Sequence, residues 1–133
     1  MDEVLDLSSI PQILNRVRMK AIEAGLEPKA VMQVELAVEE LLINALKHGY
    51  RGEAGWVELV LIAEPGEQLE IVCRDRAPHF NMLAVPSDYS RDLPLEERPI
   101  GGLGLPLIKA FFDEIEYAPL SPGNELRCRR LVL

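Results

Sequence analysis

Apolar residues recur at helical spacing along VMQVELAVEELLINALKHGY, residues 31–50, where Val31, Val34, Val38, Leu41, Leu42, Ala45 and Leu46 form one stripe. Glu27-Pro28 opens this helix, since proline is tolerated in a first turn, and Gly49 is its expected stop. An earlier run, ending near Ala24, sets Ile13, Leu14, Val17 and Ile22 close to the same spacing. Ser8-Ser9 offers it a hydroxyl cap ahead of Pro11, and Gly25 ends it. The pattern turns strand-like at 56–63 (WVELVLIA) and again at 68–74 (QLEIVCR), with Glu64-Pro65-Gly66-Glu67 between them as a tight turn. That pairing predicts an antiparallel hairpin. Residues 3–7 read as a short edge strand. Later, Leu105, Leu107, Ile108, Phe111 and Phe112 mark another helix, 114–118 a strand, 119–124 a turn, and 125–133 a last strand.

Helices grouped against hairpin strands predict an α+β fold. The expected architecture is a two-layer sandwich, with the helices on one face of a mixed, mainly antiparallel sheet. It is not a doubly wound fold, because no crossover helix separates the paired strands. A length of 133 residues suits one domain, 1–133. Residues 76–100 hold four prolines and no sustained period. So long a stretch inside a compact domain is usually a lid or binding loop.

Composition narrows the classes of function. With 48% hydrophobic and 27% charged residues the chain reads as globular. Its net charge of −8 argues against direct binding of nucleic acid. The same charge means that an anionic nucleotide needs local donors or a cation. No apolar run approaches the roughly 18–20 residues of a membrane span, so no membrane partner is expected. The opening MDEVLDL carries acids where a secretion signal carries bases, so a cytoplasmic location is expected. Cys73 and Cys128 fall in strand-like runs and read as small buried hydrophobes.

Chemistry gathers in three places. Glu40, Asn44 and His48 are spaced four apart, which on a helix returns to nearly one face. A carboxylate can take a proton, and an amide oxygen can hold a hard cation such as Mg²⁺. Glu39 points about 100° away from Glu40 and reads as surface. Asp75 stands where a strand ends and the long loop begins. Gly101, Gly102 and Gly104 precede the third helix, whose unpaired N–H groups suit phosphate oxygens. This is neither a Walker loop nor a dinucleotide fingerprint.

In this order, the three stretches resemble the motifs of the GHKL (Bergerat-fold) ATPases, and most closely their anti-sigma-factor serine kinase branch. EELLINALKHGY is similar to the family's N box, DRAPHFN to its first glycine box, and GGLGLPLIKAFFDEIEY to its second. GNELRCRRLVL resembles the branch's terminal strand. The resemblance implies a Mg²⁺-dependent serine/threonine protein kinase using ATP. Glu40 would be the general base and Asn44 the Mg²⁺ ligand. Asp75 would accept a hydrogen bond from the adenine amino group, with Ala77 in the turn beside it. Backbone groups of Gly102, Leu103, Gly104 and Leu105 would cradle phosphate, with Lys47 and His48 as further phosphate-side contacts. Residues 76–100 would be the ATP lid. Ala77 stands where the family's first glycine box carries glycine, and a need for positive φ there would strain it. The implied partners are an anti-sigma-factor antagonist, phosphorylated on Ser or Thr, and a sigma factor; such proteins often form homodimers. The alternative is a non-catalytic ATP-binding or sequestering regulatory module. A detached sensor histidine-kinase domain fits less well, because His48 and His79 are the only histidines and neither lies on a separate dimerisation helix.

Overall fold

The computed structural model describes residues 2–84 and 104–133. Among these residues, five strands form one sheet in the order β1-β2-β3-β5-β4, every neighbouring pair antiparallel. They are β1 (Asp2–Leu5), β2 (Gly55–Glu64), β3 (Gln68–Asp75), β4 (Glu114–Leu120) and β5 (Gly123–Leu131). Helices α1 (Ile10–Ala24), α2 (Pro28–Asn44) and α3 (Gly104–Phe111) complete the α+β sandwich. α1 packs on α2 and on β2 and β3, and α2 packs on α3.

The first helix buries Ile10, Ile13, Val17, Ala21 and Ala24. Ile22, expected on that stripe, is instead 60% exposed. Two alanines complete the buried face, and a count of large apolar residues overlooks them. Ser9 does hold the N-cap position, yet its hydroxyl turns away from the helix and bonds Asp6. At the other end Gly25 is left-handed, at φ 93°, and its N–H reaches back to Ile22 O. Gly66, in the β2–β3 turn, donates to Ala24 O at 2.9 Å. A strand turn thus satisfies one of the carbonyls that a helix end leaves unpaired.

α2 buries Val31, Val34, Ala37, Val38, Leu41 and Leu42 against the sheet. The inner sheet face meets it with successive cross-strand rows. Leu61, Ile71, Cys128 and Ile115 form one, and Leu59, Cys73, Leu126 and Tyr117 the next. In the row after that the face becomes polar, as Val57 stands beside Asp75 and Asp75 beside Asn124. Burial lifts the pKa of the Cys73 thiol well above its usual range and that of Cys128 to about 12, so both are inert hydrophobes as expected.

The opposite sheet face is a ladder of ion pairs. Glu70 sits between Arg127 and Arg129, at 2.8 Å from each. Arg74 joins Glu58 at 2.7 Å to Glu125 at 2.9 Å. Period-two alternation along Glu125-Leu126-Arg127-Cys128-Arg129 puts charge on this side and apolar side chains on the other.

Candidate functional site

The helical period of α2 breaks immediately after Asn44. Ala45–Gly49 form a π turn, closed by a bond from Tyr50 N to Ala45 O at 3.1 Å. Each residue of such a turn sweeps less angle than in an α-helix, so four residues no longer complete a turn. Glu40 and Asn44 lie within α2, and His48 lies on the π turn that follows it. His48 is exposed, and its ring stacks on Phe80 at 6.0 Å between centroids and 28° between planes. Lys47 is half-buried on the same turn.

Glu40 and Asn44 differ in setting. Asn44 is buried, 8% exposed. Glu40 is half-buried, and its Oε2 is sealed from solvent without a hydrogen-bond partner among the described residues. Burial raises the pKa of its carboxyl above the ordinary glutamate value, and the charge of Glu39 adds to the effect.

Asp75 ends β3 and is itself buried. Its Oδ1 accepts from Ala77 N at 3.1 Å, an Asx turn, and from Asn124 Nδ2 at 2.9 Å. Ala77 is 2% exposed and is not among the positive-φ residues, so alanine is unstrained there. Its methyl lies where Gly49 carries hydrogen; a Cβ on Gly49 would come within 2.9 Å of it. Gly123 makes a closer approach. At φ +115° it lies so near Asp75 O that a Cβ would overlap that atom at 1.8 Å. The backbone of β5 can press against the end of β3 only because this residue has no side chain.

These groups wall a small cavity of about 40 Å³, room for one or two waters. Leu41, Ala45 and Gly49 line it from the helix side, and Cys73, Asp75, Asn124 and Leu126 from the sheet. Phe80 and Met82, on the segment that follows β3, line it as well. Glu40, Asn44, Lys47 and His48 are not in its wall; they occupy positions on α2 and the π turn that flank Leu41 and Ala45. Gly104 and Leu105 open α3, while Gly102 and Leu103 lie outside the described residues. The expected lid, 76–100, is described only to residue 84, with a 3-10 turn at Met82–Ala84.

Two features escaped sequence reading. Asn124 belongs to β5 and not to the preceding turn, and it is the hub of the hydrogen bonds around Asp75. A cluster of Tyr50, Trp56 and Arg76 flanks the same strand end. The Tyr50 hydroxyl donates to Trp56 O and accepts from Arg76 N at 2.9 Å, and the Arg76 guanidinium lies 4.3 Å from the centre of the Trp56 ring system. His79 is exposed and donates from Nε2 to Leu120 O.

A helix pair, an antiparallel sheet and a strand-end aspartate facing a helix C-terminus define a class. Residues 4–130 match the model of the histidine kinase-like ATPase domain, and the chain belongs to that family. Among curated proteins it is 28% identical over 121 residues to the serine-protein kinase RsbW of Listeria monocytogenes, spanning 84% of this chain and 76% of that one. It is 30% identical over 86 residues to the RsbW of Bacillus mycoides, where it spans 62% of this chain and about half (53%) of the relative's length. Two solved structures share the fold at low identity. The RsbU and RsbW domains of a Mycobacterium tuberculosis protein align with a TM-score of 0.59 at 17% identity, over 98% of this chain and 32% of that one. The mycobacterial sensor histidine kinase MprB aligns at 0.52 and 19%, over 98% and 97%.

Proposed function

We propose that residues 1–133 form one ATP-binding domain acting as a Mg²⁺-dependent serine/threonine protein kinase of the anti-sigma regulatory type. Its substrate would be a Ser or Thr of an anti-sigma-factor antagonist, and its second partner a sigma factor. In this reading the chain works in the cytoplasm, with a homodimer as its assembly. Support comes from the family match, from curated relatives named serine-protein kinases, and from the site's chemistry. Among the described residues no helix is long and apolar enough to cross a membrane.

The observation that carries the reading is the pairing on α2 of a buried carboxylate oxygen, unpartnered among the described residues, with an asparagine one turn on. An acceptor held out of water without a donor is costly, and groups held in that state cluster at functional sites. Glu40 takes the proton of the attacking hydroxyl as that oxygen bonds to the γ-phosphorus and ADP departs. Its raised pKa brings it nearer the working pH, which suits a proton acceptor. Asn44 offers an amide oxygen to Mg²⁺, which supplies charge neutralisation on the phosphates. No group of three or more His, Cys, Asp or Glu among the described residues forms a metal cage. A Mg²⁺ site completed by nucleotide oxygens fits that donor set. Asp75 takes the adenine amino group at the cavity. Backbone N–H groups of Gly102, Leu103, Gly104 and Leu105 hold phosphate, with Lys47 and His48 beside them. Positioning and charge neutralisation are most of what phosphoryl transfer requires.

Phe80 and Met82, on the segment that follows β3, line the cavity with Asp75, and residues 76–100 would act as the ATP lid. The second reading is a non-catalytic ATP-binding or sequestering regulatory module. Calorimetric titration with ATP, with and without Mg²⁺, tests both. The kinase reading expects Mg²⁺-dependent binding that is largely lost in Asn44→Ala. Absence of binding at millimolar ATP overturns it in favour of the module.

A further inference from the structure

Asn124 makes more side-chain contacts than any other polar residue around the cavity. Its Oδ1 accepts from Phe80 N at 2.9 Å and from the Tyr117 hydroxyl at 2.6 Å. Its Nδ2 donates to Asp75 Oδ1 at 2.9 Å and to Pro78 O at 3.1 Å, and Ala77 O at 3.4 Å shares one of these two hydrogens. A side-chain amide has two N–H donors and one oxygen acceptor. Phe80 N–H can only donate, and the carboxylate and carbonyls can only accept, so one orientation of the amide is possible. The residue is 8% exposed, and its backbone is fixed by the Asp75↔Asn124 register.

This network has a directional effect on Asp75. Both hydrogen bonds that the Asp75 side chain accepts fall on Oδ1. Among the described residues none falls on Oδ2, and Asp75 lines the cavity. Oδ1 is therefore anchored to the turn and to β5, while the second oxygen remains available to a ligand donor. A fixed carboxylate oxygen favours a ring that presents an amino group. It opposes guanine held in the same pose, whose 6-position carries a carbonyl where adenine has its amino group, because two acceptors then face each other without a proton between them.

We infer that Asn124 is a positioning residue for nucleotide choice: it locks the Asp75 carboxylate in the rotamer that accepts an adenine amino group and rejects guanine. Tyr117 supports it by holding the amide oxygen. The inference rests on the proposed role of Asp75 and adds to it a residue that touches no nucleotide in that scheme.

The test is calorimetric titration of the full chain with MgATP and with MgGTP, accompanied by thermal melts. Wild-type protein should prefer ATP by about tenfold or more, the size of one hydrogen bond to a charged group. Asn124→Ala should lose most of that preference, with ATP affinity falling and GTP affinity little changed. Tyr117→Phe, which leaves the amide in place, should lose a smaller share. Asn124→Ser, whose hydroxyl can still donate to Asp75, should recover part of it. Should Asn124→Ala fail to fold, the serine and Tyr117→Phe variants carry the comparison. A merely structural role would lower the melting temperature and weaken both nucleotides by one factor, and that result overturns the inference. So does an unchanged preference in all three variants. Wild-type protein that binds ATP and GTP equally overturns the adenine role of Asp75, and this inference with it.

Discussion

Glu40 and Glu70 are both carboxylates drawn away from water, and the fold treats them in opposite ways. Glu70, on the outer face of the sheet, is 8% exposed and is held by two guanidinium groups at 2.8 Å each. Glu40, on the helix above the inner face, has one oxygen sealed off with no donor among the described residues. The first is scaffold: its desolvation is offset by charge-assisted hydrogen bonds. The second is a group held away from its most stable surroundings, the condition expected where chemistry is carried out.

Exchanging the two carboxylates for amides should separate these roles. Glu40→Gln is expected to keep MgATP binding and to lose transfer to an antagonist protein by about 10²–10⁴-fold, the range for general bases. Its stability should move the other way. The folded chain holds the Glu40 proton more tightly than the unfolded chain, so wild-type stability falls as pH rises above the ordinary value of 4.5 toward the folded one. Chemical denaturation should show Glu40→Gln more stable than wild type at pH 7, with the gap closing below pH 4.5. Equal stability at both pH values would remove Glu40 from the comparison.

The contact between Gly49 and Ala77 comes next in size. A methyl on Gly49 meets that of Ala77 at 2.9 Å, so Gly49→Ala should cost about 1–3 kcal/mol by overpacking. Adding Ala77→Gly should restore much of the loss, a coupling that a double-mutant cycle reads directly. On the outer face, Glu70→Gln should cost about 1–2 kcal/mol and leave nucleotide binding unchanged. The figure is below that of a fully dry pair because Arg127 keeps Glu125, and Arg129 keeps Glu114. A loss of ATP affinity in that variant would join two faces that the comparison holds apart. The smallest effect belongs to the helix surface: breaking the exposed Arg18–Glu35 pair with Arg18→Ala should leave the thermal melt unchanged within its scatter.

Local pattern carried the reading of the fold a long way. The stripe on α2, the β2–β3 hairpin and the arrest of β3 at Asp75 are all short-range features, each decided by its own dozen residues. The π turn at Ala45–Gly49 was illegible, because nothing in Ala-Leu-Lys-His-Gly distinguishes it from one more α turn. The packing of Tyr50 over Gly55 at the end of that turn is a tertiary fact; a Cβ on Gly55 would meet the ring at 2.4 Å. Asn124 was hidden for a related reason. After Ser121-Pro122-Gly123 its composition suggests a turn, and only the pairing with Asp75, 49 residues earlier, makes it an interior residue. Ala77 shows the reverse case. An alanine in a glycine's place suggests strain, yet the room comes from Gly49, far off in sequence and adjacent in space.

The stack of Arg76 on Trp56 gives the chain a built-in optical probe. Trp56 is the only tryptophan, so every indole photon originates beside the residue that follows Asp75. Its emission therefore follows the strand end and the start of the 76–84 segment without any attached dye. Stopped-flow mixing of nucleotide with unlabelled protein can report whether, and how fast, this strand end responds, on a clock that the sequence already contains.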